Sequence, residues 1–317
     1  NAEVAIFIGS RGVCQADCSG VGYPNAKSVL NINGDYEDLA HYANTSVLPG
    51  DITAVLDQLV AALGEDTGIE TRQDWIGSCA AKKDEWTKFK KERVNSAPLY
   101  DEVWQQPVLT EPAAIYTVSS FANKNGAIKF FDAGDVQANG FQIVEDDAPG
   151  QTFTETGASF MGFSGSALLG SAYVNDSKYG IAFTGDGSFM MNPQILIDGV
   201  EHGVRGMIAL FDNRRMAAIT GLQYDQYGKE FKTNDSVPVD YVAMAGSVTG
   251  VKAIHAGFTK GTLETALKEA FDHDGLSFLH IPVYSGRDPI AGMGAYGSWN
   301  VGNWVDDVQA TYLKIKI

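Results

Sequence analysis

The chain has 317 residues, with 23 Lys and Arg against 39 Asp and Glu, a formal net charge of −16, 44% hydrophobic and 20% charged residues. That is the composition of a globular chain long enough for one large or two ordinary domains, and its negative charge argues against nucleic acid or an anionic membrane surface as a partner. No apolar run reaches the roughly 18 residues of a membrane span and no signal peptide is visible, which reads as a cytoplasmic protein.

The chain starts at Asn1 and goes at once into an apolar run, Ala2 to Gly9, that predicts a buried parallel strand. A second strand is predicted at Ser28 to Asn33, a helical stretch at Asp35 to Tyr42, and an amphipathic helix at Ile52 to Leu63, with apolar residues at helical spacing. Together, residues 1–64 make about half of an α/β domain. Cys14, Cys18 and Cys79 are an odd set, which fits a reducing compartment. No second Cys or His pair completes a zinc site with Cys14 and Cys18.

Residues 65–108 read as a linker carrying a polar helix, Asp74 to Val94, whose Lys and Arg are interrupted by Glu85 and Glu92 as on a solvated face. A second domain, residues 109–317, opens where Thr-Glu-Pro starts a helix from Glu111 to Ala122. A strand at Ala127 to Asp132 leads into AGDVQANG. The stretch Glu155 to Val174 carries small residues at Gly162, Gly165, Ser166, Gly170 and Ala172, which suit a helix packed closely on a sheet.

The most informative segment follows. Ile181 to Thr184 is a short apolar strand that stops at Gly185-Asp186-Gly187, and Met207 to Phe211 is another that stops at Asp212-Asn213. In a βαβ unit the carboxyl ends of both strands lie on one edge of the sheet, so Asp186 and Asn213 should sit side by side. A carboxylate and an amide oxygen meeting there suit Mg²⁺ bound to a diphosphate, an ion that takes six oxygens from few protein groups, phosphate and water. Asp186, Asn213 and a backbone carbonyl just beyond, that of Arg215, are the predicted ligands. Gly185 and Gly187 allow a sharp turn with N–H groups near phosphate, and Ser188 opens the next helix. Arg214 and Arg215 could face an anionic substrate or simply solvent and phosphate.

Beyond it, Tyr224 to Pro238 is a polar loop at the mouth of that edge. Asp240 to Ala245 and Thr262 to Phe271 are helical, and Val251 to Ala253 and Ser277 to Val283 are strands. A Gly-rich tail from Ser285 is irregular and would cover an active site or a subunit contact. None of the five histidines has a catalytic or metal-binding context: His202 ends a helix, His280 lies in a strand, and His41, His255 and His273 stand alone.

The GDG that ends one strand and the Asn that ends the next resemble the thiamine-diphosphate motif of the acetohydroxyacid synthase-like superfamily. The residues DNRRMAAITGLQ are most similar to the branch of trihydroxycyclohexanedione and cyclic diketone hydrolases. The resemblance implies a thiamine-diphosphate-binding fold for the second domain, a parallel sheet with helices on both faces, preceded by half of a Rossmann-like central domain.

It also implies that Gly134, Asp135, Val136 and Gln137 form the turn holding the terminal phosphate, with Val136 where a His or Ser is usual. Ser159 would accept the pyrimidine amino hydrogen through its carbonyl, and Met161 would wedge under the bent cofactor. In some relatives the central domain binds FAD or another nucleotide, which would bring Asp35 to a ribose; a turn aspartate is the competing reading.

The catalytic glutamate of the family lies in a separate pyrimidine-binding domain, so none is assigned in this chain. A companion chain and a second protomer, in a homo- or hetero-oligomer, are expected to complete the site. The implied activity is cleavage of a C–C bond beside a carbonyl in a 2-oxo acid or 1,2-diketone, by a lyase or hydrolase. An acetolactate synthase-like carboligase, a 2-oxo acid decarboxylase and an inactive regulatory subunit are the alternatives. A nucleotide-binding dehydrogenase is disfavoured, because no GxGxxG follows a first strand.

Overall fold

The computed structural model describes residues 2–10, 26–39, 45–64, 68, 72–155, 158–234 and 237–291. The chain divides into two compact units, one that includes residues 1–84 and the other formed by Glu85–Gly297.

In the first unit, β1 (Val4–Ile8), β2 (Ser28–Asn33) and β3 (Thr45–Pro49) form a parallel sheet in that order. The helix α1 (Ile52–Leu63) begins at Asp51, whose side chain accepts the N–H of Ala54, and ends at Gly64. The cap supplies an acceptor for an otherwise unpaired helical donor. The helix expected from Asp35 to Tyr42 is a turn in its described part, Asp35 to Leu39. The cause is local competition for the backbone: Asp35 Oδ1 accepts the N–H of Glu37, and the buried Asn31 amide donates to the carbonyls of Asp38 and Leu39. The strand β3 carried too little alternation to be read. Cys14, Cys18 and His41 lie outside the described residues.

The polar helix α2 (Gln73–Val94) leads to a short hairpin, β4 (Leu99–Asp101) and β5 (Gln106–Val108), that the sequence reading missed. The second unit then builds one sheet. Its elements are α3 (Glu111–Lys124), β6 (Ile128–Phe131), α4 (Asp135–Ile143), β7 (Thr152–Thr154), α5 (Phe163–Ser171), β8 (Gly180–Gly185), α6 (Asp186–Phe189), α7 (Ile195–Glu201) and β9 (Gly206–Asp212). After these come α8 (Ala217–Tyr227), α9 (Tyr241–Gly246), β10 (Lys252–His255), α10 (Lys260–Phe271) and β11 (Leu276–Pro282). The six strands are all parallel, in the order β10-β11-β9-β8-β6-β7.

Both faces of this sheet are covered, which is why β8, β9 and β11 are apolar along nearly their whole length instead of alternating. Ile181, Phe183, Met207, Ala209 and Phe211 point to the face packed by Ile115 and Val118 of α3 and Leu263 and Leu267 of α10. Ala182, Ile208, Leu210 and Phe278 point to the other face, under Leu168 of α5, Ile195 of α7 and Tyr241 of α9. The predicted α/β architecture is therefore the observed one. Two expectations change. The loop read as starting at Tyr224 is helical as far as Tyr227, where Gly228 closes α8 with a left-handed φ of 66°. The helix expected within Glu155 to Val174 occupies only α5, because the residues before it form a turn held by side chains.

Candidate functional site

The strand register decides where the candidate ligands go. Gly180 to Gly185 of β8 pair in parallel with Gly206 to Phe211 of β9, so Asp186 and Asn213 leave adjacent strands at the same edge. Both are buried, at 4% and 5% exposure. Burial of polar groups there needs partners, and they are present. Asp186 Oδ1 accepts the N–H of Gly187 at 2.9 Å. Asn213 Nδ2 donates to Asp135 Oδ2 at 2.7 Å, and its Oδ1 accepts the N–H of Arg215 at 3.1 Å. The amide is thereby fixed in orientation, and a carbonyl oxygen that accepts one hydrogen bond keeps a second lone pair.

The turn carrying Asn213 is held from beneath. Asp212, fully buried, accepts the N–H of Arg214 on Oδ1 at 3.0 Å and receives His280 Nε2 on Oδ2 at 2.8 Å. Arg214 sits at a left-handed φ of 58°, a conformation that residues other than Gly rarely adopt. The link of His280 to Asp212 supports the residue next to the candidate ligand. Its neighbour His255 has its pKa lowered by burial and then by His280. His202 caps the C-terminus of α7. The Arg215 side chain turns to Glu230, with Nη1 3.5 Å from Oε2, and its strand-like backbone pairs with Asn234.

Gly134 opens α4 with a φ of 89°, and Asp135, Val136 and Gln137 form the first turn of that helix. Val136 is 1% exposed and packs in the hydrophobic core, so any phosphate contact made at this turn uses its backbone. Gln137 faces another way. Its Nε2 donates to Thr154 Oγ1 at 2.7 Å and to the Glu155 carbonyl at 2.8 Å, while Ser159 Oγ donates to its Oε1 at 3.4 Å.

The Ser159–Met161 turn is preformed. Glu155 accepts the N–H groups of Ala158 and Phe160 on its carboxylate, and Ser159 is held at a φ of 52°. Met161 lies beside the GDG turn: a Cβ placed on Gly187 would stand 3.6 Å from Met161 Cε and only 2.6 Å from Met216 Sδ. No side chain fits at position 187 without displacing Met216. The two methionines thus form an apolar wall against the GDG turn, which Ser188, 5% exposed, follows.

Two acidic residues were missed in the sequence. Glu111, read only as a helix start, is 3% exposed and faces Asp135, with which it shares a hydrogen bond, and Asp186. Burial above all, and then the charge of Asp135, hold its carboxyl well above the usual range, against the pull of Arg93. Its Oε1 is buried without a hydrogen-bond partner. Arg93, 1% exposed at the end of α2, bonds Gln142 and Asn139 behind the same turn. Its own pKa is lowered to about 10, chiefly by burial. Asp132 is the other missed residue.

A group whose pKa is raised on folding stabilises the protein fully at low pH and loses that contribution as pH climbs through the folded value. Glu111→Gln keeps the shape and donor of the protonated acid but cannot titrate. In urea unfolding of the full chain, the variant should gain on wild type by about 1.4 kcal/mol per pH unit between the unfolded and folded values. A difference that stays constant from pH 5 to 8 would mean that Glu111 does not titrate this way.

Asp35, the candidate ribose contact, uses its carboxylate to close its own turn. Among the described residues, no three His, Cys, Asp or Glu side chains converge as a metal site, so the candidate donors are one carboxylate, one amide and a backbone carbonyl. No helix among these residues is long and apolar enough to cross a membrane.

Residues 132–281 match the family model described as "Thiamine pyrophosphate enzyme, C-terminal TPP binding domain". Over these residues the chain is similar to the cofactor domain of the thiamine-diphosphate enzymes. The 3D-(3,5/4)-trihydroxycyclohexane-1,2-dione hydrolase of Bacillus licheniformis is 26% identical over 323 residues, 94% of this chain and 49% of that protein. A probable acetolactate synthase large subunit of Methanococcus aeolicus is 25% identical over 262 residues, 79% of this chain and 42% of that one. The superfamily resemblance seen in the GDG motif is thus borne out. Benzoylformate decarboxylase from Polynucleobacter necessarius shares the fold, with a TM-score of 0.68 at 16% identity, covering 90% of this chain and 50% of that one. The chain spans about half the length of the curated relatives it matches. The matched region begins at Asp132 and ends at Ile281, so it takes in both turns, the GDG and Asn213 of the cofactor domain.

Proposed function

We propose that this chain supplies the diphosphate and metal half of a thiamine-diphosphate- and Mg²⁺-dependent enzyme that cleaves or forms a C–C bond next to a carbonyl. The substrate class is a 2-oxo acid or a 1,2-diketone. The reading is carried by the meeting of Asp186 and Asn213 at adjacent strand ends, within the domain matched to the cofactor family.

The donor chemistry fits Mg²⁺. A carboxylate, an amide oxygen and a backbone carbonyl of Arg215 are hard ligands, and they leave positions for diphosphate oxygens and water. Asp135 and the N–H of Arg215 hold the Asn213 amide so that its oxygen keeps the orientation a ligand needs. The amino end of α4, opened by Gly134, offers backbone N–H groups to a phosphate. Ser159 and Met161 would meet the pyrimidine and the bend of the cofactor, with Met216 closing the apolar side.

When bound, thiamine diphosphate supplies an electron sink beside the scissile bond. The chain's own residues bind it, hold its shape and keep water from one side. The acid that activates the pyrimidine would come from a glutamate in a pyrimidine-binding domain of a companion chain, within an oligomer. The relatives named as hydrolases support a hydrolase over a decarboxylase or a ligase.

Calorimetric titration of the full chain with thiamine diphosphate tests the reading. Binding is expected in millimolar Mg²⁺ and lost in EDTA. Equal binding with and without the metal, or no binding with it, would overturn the proposal.

A further inference from the structure

Asp132 follows β6 and is 1% exposed. Four donors from three separate segments converge on its carboxylate. Oδ1 accepts the N–H of Ala133 at 3.0 Å and of Gly162 at 2.8 Å. Oδ2 accepts Ser164 Oγ at 2.9 Å and Thr184 Oγ1 at 2.8 Å. Ala133 leads into the Gly134 turn, Gly162 and Ser164 follow Met161, and Thr184 leads into Gly185 and Asp186. One side chain therefore touches a segment directly flanking each of the three groups assigned to the cofactor: before the Gly134 turn and the GDG, and after Met161.

We propose that Asp132 is the positioning residue that sets the spacing between the diphosphate-binding and pyrimidine-binding ends of this site. The inference rests on the cofactor reading above. The geometry gives the reason. Gly162 stands at a φ of 91°, and a Cβ there would lie 3.3 Å from Met191 Cβ, so the turn is fitted closely against the segment after the GDG. Its buried N–H has its acceptor in Asp132, and a buried donor that loses its acceptor is costly. Gln137 is a second rung between the two ends, but its bond to Ser159 Oγ is the long one at 3.4 Å. Burial pushes the Asp132 carboxyl up, while Thr184, Ser164 and the two N–H groups pull it down.

Two probes separate the ends of the site. Inorganic pyrophosphate with Mg²⁺ reads the diphosphate end alone, whereas thiamine diphosphate with Mg²⁺ must span both. In calorimetry on the full chain, Asp132→Ala should weaken thiamine diphosphate about 10- to 100-fold, the worth of one orphaned buried donor, and pyrophosphate by less than about 3-fold. Hydrogen exchange in the segment around Gly162 should speed up by about 10-fold or more in the same variant.

Asp132→Asn should stay within about 3-fold of wild type for both ligands, because its amide oxygen keeps both N–H bonds and its NH₂ meets two hydroxyls that can accept. If Asp132→Ala does not fold, Thr184→Val, which removes one rung only, should show a selective loss of about 5-fold. Equal losses for the two ligands, or unchanged exchange around Gly162, would overturn the proposal. Wild type that binds neither ligand would remove the cofactor reading, and the positioning role with it.

Discussion

Replacing Asp186 by Ala is expected to weaken Mg²⁺-dependent binding of thiamine diphosphate by more than about 100-fold, beyond the 10- to 100-fold typical of residues that only support a metal ligand. Asp186 is the one charged group among the three candidate donors, and it is buried at the edge where β8 and β9 end. Its removal should not harm the cofactor-free protein. Asp186 adds its charge to a buried surround that already contains Glu111 and Asp135, and it is among the groups that hold the Glu111 proton in place. The thermal midpoint of the cofactor-free variant is therefore expected to equal or exceed that of wild type. This opposite sign separates a lost ligand from a damaged fold. Measured by calorimetry and thermal melting together, a variant that binds as well as wild type would refute the assignment of Asp186.

The largest loss of stability is expected from Phe183→Ala, at about 3–5 kcal/mol in urea unfolding. Phe183 is completely buried in the central strand β8. Its ring stacks 4.3 Å from that of Phe131 in β6 and 5.9 Å from that of Phe211 in β9, so one side chain spans three neighbouring strands. Truncation leaves a cavity flanked by two rings that the sheet's hydrogen bonds keep in place, which limits relaxation. With domains typically stable by only about 5–15 kcal/mol, much of the margin would go. Since Thr184 and Gly185 follow directly, the GDG turn should loosen as well. A loss below about 1 kcal/mol would show that the surroundings close over the gap.

Most of the second unit was legible in the sequence because its parallel strands, covered on both sides, are unbroken apolar runs. Strands β8, β9 and β11 and helices α3 and α10 emerged close to their observed limits, as did α1 in the first unit. The short β7 was hidden, since three half-exposed residues show no pattern, and the β4-β5 hairpin was hidden within a polar stretch. The turn at Asp35 to Leu39 was misread as helix because the decisive contact, Asn31 to the carbonyls of Asp38 and Leu39, depends on tertiary placement.

The candidate site divides similarly. Asp186 and Asn213 could be placed because both end apolar strands, and a strand end is visible in a single sequence. Asp132 ends an apolar strand too, just before a Gly turn, so the same signal was available for it and went unused. Glu111 carried no such mark. A Glu between Thr and Pro is an ordinary helix start, and only the packing of α3 against the Asp135 turn turns it into a buried acid.

The small hairpin is the least conspicuous element of the second unit, yet it closes that unit on itself. Asp101 receives both the N–H and the hydroxyl of Ser285, the Trp104 indole donates to the carbonyl of Val283, and Leu109 bridges to Val283. The polypeptide thus enters and leaves the sheet through one doorway. A module whose ends meet in this way can be spliced into, or excised from, a longer polypeptide with little disturbance to the opposite connections. That is a physical reason why a cofactor-holding unit of this kind can be shared among enzymes whose other parts, and whose reactions, differ.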